Sequence, residues 1–169
     1  MSFAVPPAIV DSEATRAFRE FLRVFGLVER AMQPYFARFG ISGSQWGVLR
    51  NLHRAEKEGA TGLRVSVLSE RLLIRPASVT GVVDRLERAG LVAREADPTD
   101  HRAKFIRLTK EGRQLVERVL TSHQRQIESV FGGLKVEEQV RLHGLLARLG
   151  RHLEGLKSVG LHTVTSEAN

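Results

Sequence analysis

The sequence contains no cysteine, which removes disulfides, thiolate metal sites and thiol redox sensing at once. No apolar run approaches the ~18 residues that a membrane-spanning helix needs, so no membrane partner is expected. The opening stretch, MSFAVPPAIV, lacks a cationic region, and Pro6-Pro7 interrupts its short apolar run. Residues 1–10 are therefore expected to form a flexible tail rather than a signal peptide, and the expected location is cytoplasmic. A nucleophile elbow, a P-loop and a dinucleotide fingerprint are also missing. Asp97, Asp100 and His101 carry acid–base groups, but they crowd onto a turn where no pocket would exclude water. The chain is thus not expected to be an enzyme, and no cofactor is implied. None of the six histidines pairs with another at the i, i+4 spacing of a helical metal site. His123 and His143 lie on successive helical stretches, where packing or surface roles suit them better than a metal.

What is present is positive charge and helical patterning. The 169 residues carry 26 Lys+Arg against 19 Asp+Glu, a net of +7. That excess favours an anionic partner, and nucleic acid, anionic lipid and plain solubility are all compatible with it. The length suits one domain with helical extensions, long enough to bury roughly 70% of its unfolded surface.

From Asp11 to about Phe39, Ala14, Phe18, Phe21, Leu22, Phe25, Val28 and Met32 recur at helical spacing. Pro34 is expected to kink this helix or restart it, and Gly40 to end it. Ser42 followed three residues later by Gln45 is a capping box, predicting a helix over Gly43–His53 with Trp46, Leu49 and Leu52 inward. The segment RAEKEGATG reads as a charged loop and LRV as a short strand. Ser66 is placed to cap a helix over Val67–Leu73. Pro76 fits the first position of the next helix, which stops at Gly90. Two extended pieces, Leu91–Glu95 and Lys104–Leu108, then flank the turn-prone Asp97-Pro98-Thr99-Asp100. Thr109 opens a helix to about Phe131, Gly132-Gly133 breaks it, and a last helix covers roughly Val136–Leu156. Residues 158–169 read as a second flexible tail. Two short helices followed by a two-stranded hairpin, between longer helices, make a mainly α chain with a winged helix-turn-helix lobe.

The helix from Pro76 divides cleanly. Val79, Val82, Val83 and Leu86 fall on one side; Ala77, Ser78, Gly81, Asp84, Arg85 and Arg88 fall on the other, with Thr80 beside them. A helix entering a major groove about 12 Å wide needs a slim, hydrogen-bonding leading end. Ser78 and Thr80 have the hydroxyls for bases or phosphates, Gly81 permits close approach, and Arg85 can reach a phosphate or a guanine edge. Arg75 stands at the helix entrance, whose free N–H groups suit a phosphate. In the hairpin, Asp100 and Arg102 are two apart, so extended backbone projects them to one side. There a carboxylate can orient an arginine for a narrow A·T-rich minor groove. Lys104 and Arg107 are expected to add phosphate contacts, Arg94 adds a further cation, and Phe105 is expected to anchor the hairpin in the core. An ordinary amphipathic helix and a solvated hairpin carrying a surface ion pair would give parts of the same pattern.

The run RPASVTGVVDRLERAGLVAREADPTDHRAKFIRLTKEG, Arg75–Gly112, closely resembles the MarR family of bacterial transcription regulators. The likeness rests on VDRLERAGLV, on the Asp-x-Arg at Asp100 and Arg102, and on the closing LTKEG; upstream, ISGSQWGVLRNL resembles the family's second helix. It extends over about residues 11–157. It implies a homodimer held by helices in 11–40 and 113–157 around a DNA-binding lobe at 41–112. It also implies a palindromic double-stranded DNA operator, usually a repressor's role, and often release by a small-molecule effector. Ser78, Thr80, Gly81 and Arg85 fall on the family's major-groove helix, and Asp100 and Arg102 on its minor-groove wing. Where the family often has Asp-Arg-Arg, the middle residue here is His101; with an ordinary pKa of about 6.5, it predicts DNA affinity rising on mild acidification. Family effectors are often aromatic or phenolic acids bound where the dimerisation helices meet the DNA-binding lobe. Trp46, Phe36 and Tyr35 lie near that junction, with Arg38 and Arg50 as carboxylate partners. Helical spacing with Leu49 favours a core role for Trp46, and the two arginines suit a solvated surface.

A winged helix used for protein–protein assembly without DNA remains the alternative, since the fold does not dictate its use. Residues 41–112 hold 13 basic against 9 acidic side chains, residues 1–40 hold 5 against 4, and residues 113–169 hold 8 against 6. The excess is centred on the DNA-binding lobe.

Overall fold

The computed structural model describes residues 12–96 and 104–158. The element order is α1 (Glu13–Ala37), α2 (Gly43–Lys57), β1 (Leu63–Arg64), α3 (Val65–Leu72), α4 (Pro76–Arg88), β2 (Val92–Ala96), β3 (Lys104–Leu108), α5 (Lys110–Phe131) and α6 (Val136–Ser158). The chain divides into two compact units, Met1–Ile127 and Glu128–Asn169, so the division falls within α5.

In the first unit, α2, α3 and α4 enclose a core that the strands close from one side. Strand order is β1-β3-β2, antiparallel throughout, with Leu63 opposite Ile106 and Arg94 opposite Ile106 on the other flank. Val48, Leu49, Leu52, Leu68, Val79, Val83, Leu86, Ile106, Val116 and Val119 are almost completely buried. Each such side chain contributes roughly 1.5–3 kcal/mol by leaving water. The expected inner face of α4 is therefore the buried one.

The capping box at Ser42 and Gln45 is present in both directions, at 3.2 and 2.8 Å. The helix it starts runs past His53 to Lys57, so half of the stretch read as a charged loop is helical. Glu56 explains part of this, because its carboxylate takes two hydrogen bonds of 2.9 Å from Arg113 of α5. Helix α1 continues through Pro34 to Ala37, where Tyr35 and Phe36 are buried and hold the last turn in place. The cap of α3 also differs from expectation. Arg64 stands at that position and does not cap the helix with its side chain, and Ser66 lies inside the helix. Backbone pairing of β1 with β3 reaches Arg64 and sets the helix start, overriding the local serine signal.

The turn between α3 and α4 is pinned by buried Ser69, whose hydroxyl donates to the Ile74 carbonyl. Leu73 closes α3 in the left-handed region, at φ 54°. At the far end, Gly90 takes φ 70°, and the Leu91 N–H returns to the Leu86 carbonyl at 2.9 Å, turning the chain into β2.

Large apolar side chains on the outer helices stay uncovered. On α1 these include Phe18, Phe21, Leu22 and Phe25. In the second unit, α6 exposes Val140, Leu145, Leu146, Leu149 and Leu153. Among the described residues, no helix is long and apolar enough to cross a membrane.

Candidate nucleic-acid interface

Helix α4 begins at Pro76, which has no N–H to leave unsatisfied. Arg75 precedes it in extended backbone and is exposed. The Arg75 carbonyl accepts from the N–H groups of Ser78 and Val79, at 2.9 and 3.2 Å. The anion-facing N–H at this end is thus that of Ala77, a smaller set than the sequence suggested. Ala77, Ser78, Thr80 and Arg85 are exposed on one face, and Gly81 is half-buried. The Thr80 hydroxyl donates to the Pro76 carbonyl at 3.0 Å, leaving its oxygen lone pairs to accept from a partner. A Cβ built at Gly81 would meet only the Arg85 guanidinium, at 3.8 Å, so this face stays slim as far as Arg85.

Of the hairpin cations, Arg94 and Arg107 have carboxylate partners. Arg107 pairs with Glu95 within the hairpin. Arg94 reaches back to α4, giving one guanidinium nitrogen to Asp84 and the other to Glu87. Burial is the largest single influence on Arg94 and lowers its pKa, but the hydrogen bonds and charges of the two carboxylates together hold it above the ordinary arginine value. Lys104 is exposed at the start of β3. Phe105, expected in the core, is half-buried, with the Arg64 guanidinium 5.8 Å from its ring centre. Ile106 and Leu108 anchor the strand instead, because the alternation of β3 sends those two inward. Asp100, His101 and Arg102 lie outside the described residues.

Between α3, α4 and the strands lies a cavity of 410 Å³ lined by residues including Arg64, Thr80, Arg94 and Lys104.

Trp46 is buried among aromatic rings where α1, α2 and α5 meet. Its ring lies 6.0 Å from that of Phe36 and 5.0 Å, edge-on, from that of His123. Tyr35 lies nearly parallel to His123 at 5.7 Å, and its hydroxyl donates to the Val119 carbonyl at 2.7 Å. Arg38 sits over the Tyr35 ring at 5.1 Å. His123 is 7% exposed, and its Nδ1 has no hydrogen-bond partner. Burial, and then the charge of Arg50, pushes its pKa below the ordinary 6.5. The place of His123 in this cluster differs from expectation. The signal was its position on the buried stripe of α5 after Gly112, Leu115, Val116 and Val119. Among the described residues, no three histidine or acidic side chains gather as metal ligands.

The profile described as "MarR family" matches residues 39–103. The uncharacterized HTH-type transcriptional regulator YkoM of Bacillus subtilis is 30% identical over 149 residues, covering 86% of this chain and 94% of its own. The HTH-type transcriptional repressor MdtR, also of Bacillus subtilis, is 30% identical over 131 residues, covering 78% and 81%. Among solved structures, Bordetella bronchiseptica BpsR, whose DNA binding is regulated by 6-hydroxynicotinic acid, superposes with a TM-score of 0.71 at 26% identity, covering 85% of this chain and 97% of its own.

Proposed function

The chain belongs to the MarR family of transcription regulators, which are not enzymes, and from that premise we propose that it is a sequence-specific repressor binding a palindromic operator as a homodimer. The observation that carries this reading is the exposed face of α4. Small and hydroxylated residues lead it, Arg85 follows, and a buried apolar stripe fixes it from behind. Arg75, Ala77, Ser78, Thr80, Gly81 and Arg85 meet the major groove or its flanking phosphates. The wing residues Asp100, His101 and Arg102 meet the adjacent minor groove, and Lys104 meets the phosphates beside it. The uncovered apolar side chains of α1 and α6 are buried between two copies, giving residues 11–40 and 113–157 their role in dimerisation. The transcriptional repressor MdtR supports the sign of regulation, and BpsR supports DNA binding tuned by a small aromatic acid. For such an effector, the junction around Trp46 is the site proposed.

Replacing Arg102 by alanine tests the wing. Affinity for a duplex selected from a random pool should fall by about 1–3 kcal/mol, the scale of one direct contact, while the dimer stays intact in analytical ultracentrifugation. Unchanged affinity would remove the wing from the interface.

A further inference from the structure

Arg94 is one of the cations that, from sequence, would be placed against DNA. Both terminal nitrogens of its guanidinium are engaged inside the protein, one with Glu87 and the other with Asp84, and its side chain is only 19% exposed. It shares the inner face of β2 with Val92, two residues earlier, and stands opposite Ile106. A phosphate reaching it would have to displace two carboxylates. The partner carboxylates occupy successive turns of the helix that carries Ser78, Thr80 and Arg85, and Arg94 lies at the centre of β2, the first strand of the wing. The same contact therefore touches both reading elements.

We propose that Arg94 is a positioning residue for operator recognition, a strut from the wing strand β2 to Asp84 and Glu87 that fixes the hairpin strands relative to the recognition helix. The inference rests on the DNA-binding reading above. Two carboxylates on a helix that faces a polyanion should weaken binding; their use is to hold the arginine. A guanidinium suits this work because its planar fork makes two directed bonds at once, which an ammonium cannot. The Arg107–Glu95 pair, by contrast, lies within the hairpin and cannot set its angle to α4.

The consequence runs against simple electrostatics. Asp84→Asn with Glu87→Gln removes two negative charges near the DNA, so affinity for a random duplex should hold or rise. Affinity for the selected operator should nevertheless fall, lowering the operator-to-random ratio about tenfold, the scale of one misread base pair. Arg94→Gln should lower the ratio similarly, and the triple variant should lose nothing further, because all three changes break one contact. A loss of folded protein would weaken both duplexes alike and leave the ratio unmoved.

Amide hydrogen exchange of the free variants supplies a readout without DNA. Exchange in Val92–Ala96 and Lys104–Leu108 should quicken in every one of them. A preserved or raised ratio in a carboxylate variant that keeps its affinity for the random duplex, or unchanged exchange in the strands, overturns the strut. If the unsubstituted protein bound no duplex, the functional reading would fail, and strand exchange would still decide the strut.

Discussion

His123 holds a titratable ring where charge is hard to accommodate, among Tyr35 and Phe36 of α1 and Trp46 of α2, with the Arg50 cation adding repulsion. Its folded pKa lies below the unfolded value near 6.5, so the unfolded chain binds the proton first as pH falls. Stability is then full above about pH 6.5 and declines on acidification until the folded ring also titrates. Urea melts from pH 7.5 down to 5.5 should show this decline, and His123→Leu should flatten it. An equal slope in the variant would place the titrating group elsewhere. Such a residue is hard to read in advance, because its helical spacing shows only that it shares the buried stripe. Arg94 presents the same difficulty, since a cation in a basic hairpin reads as a DNA contact until its neighbours in space are known.

Elements are more legible than single contacts. The capping box of α2, the Pro76 start of α4, the Gly90 stop and the inward stripe of Val79, Val82, Val83 and Leu86 all follow from local rules that the structure obeys. Expectation failed where a distant partner decided the outcome. β1 pairs with β3 and moves the start of α3 ahead of Ser66, while Glu56, bound by Arg113, belongs to the extended end of α2. The LTKEG segment shows why one small residue matters at a junction. Thr109 donates to the Gly90 carbonyl at 2.7 Å and accepts from the Gly112 N–H at 3.0 Å, drawing α5 against the entrance of β2. A Cβ at Gly112 would lie 2.0 Å from the Leu91 carbonyl oxygen. Since the obstacle is backbone, Gly112→Ala should destabilise by at least ~1–3 kcal/mol, read as a lower urea midpoint. A midpoint like that of the unsubstituted protein would mean that Gly112 does not approach the Leu91 carbonyl this closely.

At the scale of the whole molecule, the sequence shows a basic lobe between amphipathic helices, and the structure leaves apolar side chains of those outer helices exposed. A sequence cannot say what covers such faces, because the covering surface belongs to a second copy or another partner. The same limit applies to DNA: α4 shows which side chains are available, and only a duplex shows which bases they choose. A dimer joins these two faces by placing two recognition helices on successive turns of one duplex, about 34 Å apart. Selection of bound duplexes from a random pool, followed by salt titration of the winner, tests this most directly. The duplexes recovered should carry an inverted repeat with half-sites about one helical turn apart, and affinity should fall linearly with salt on logarithmic axes. No enrichment of any duplex at low ionic strength, or enrichment of unrepeated sites by a monomer, would contradict it.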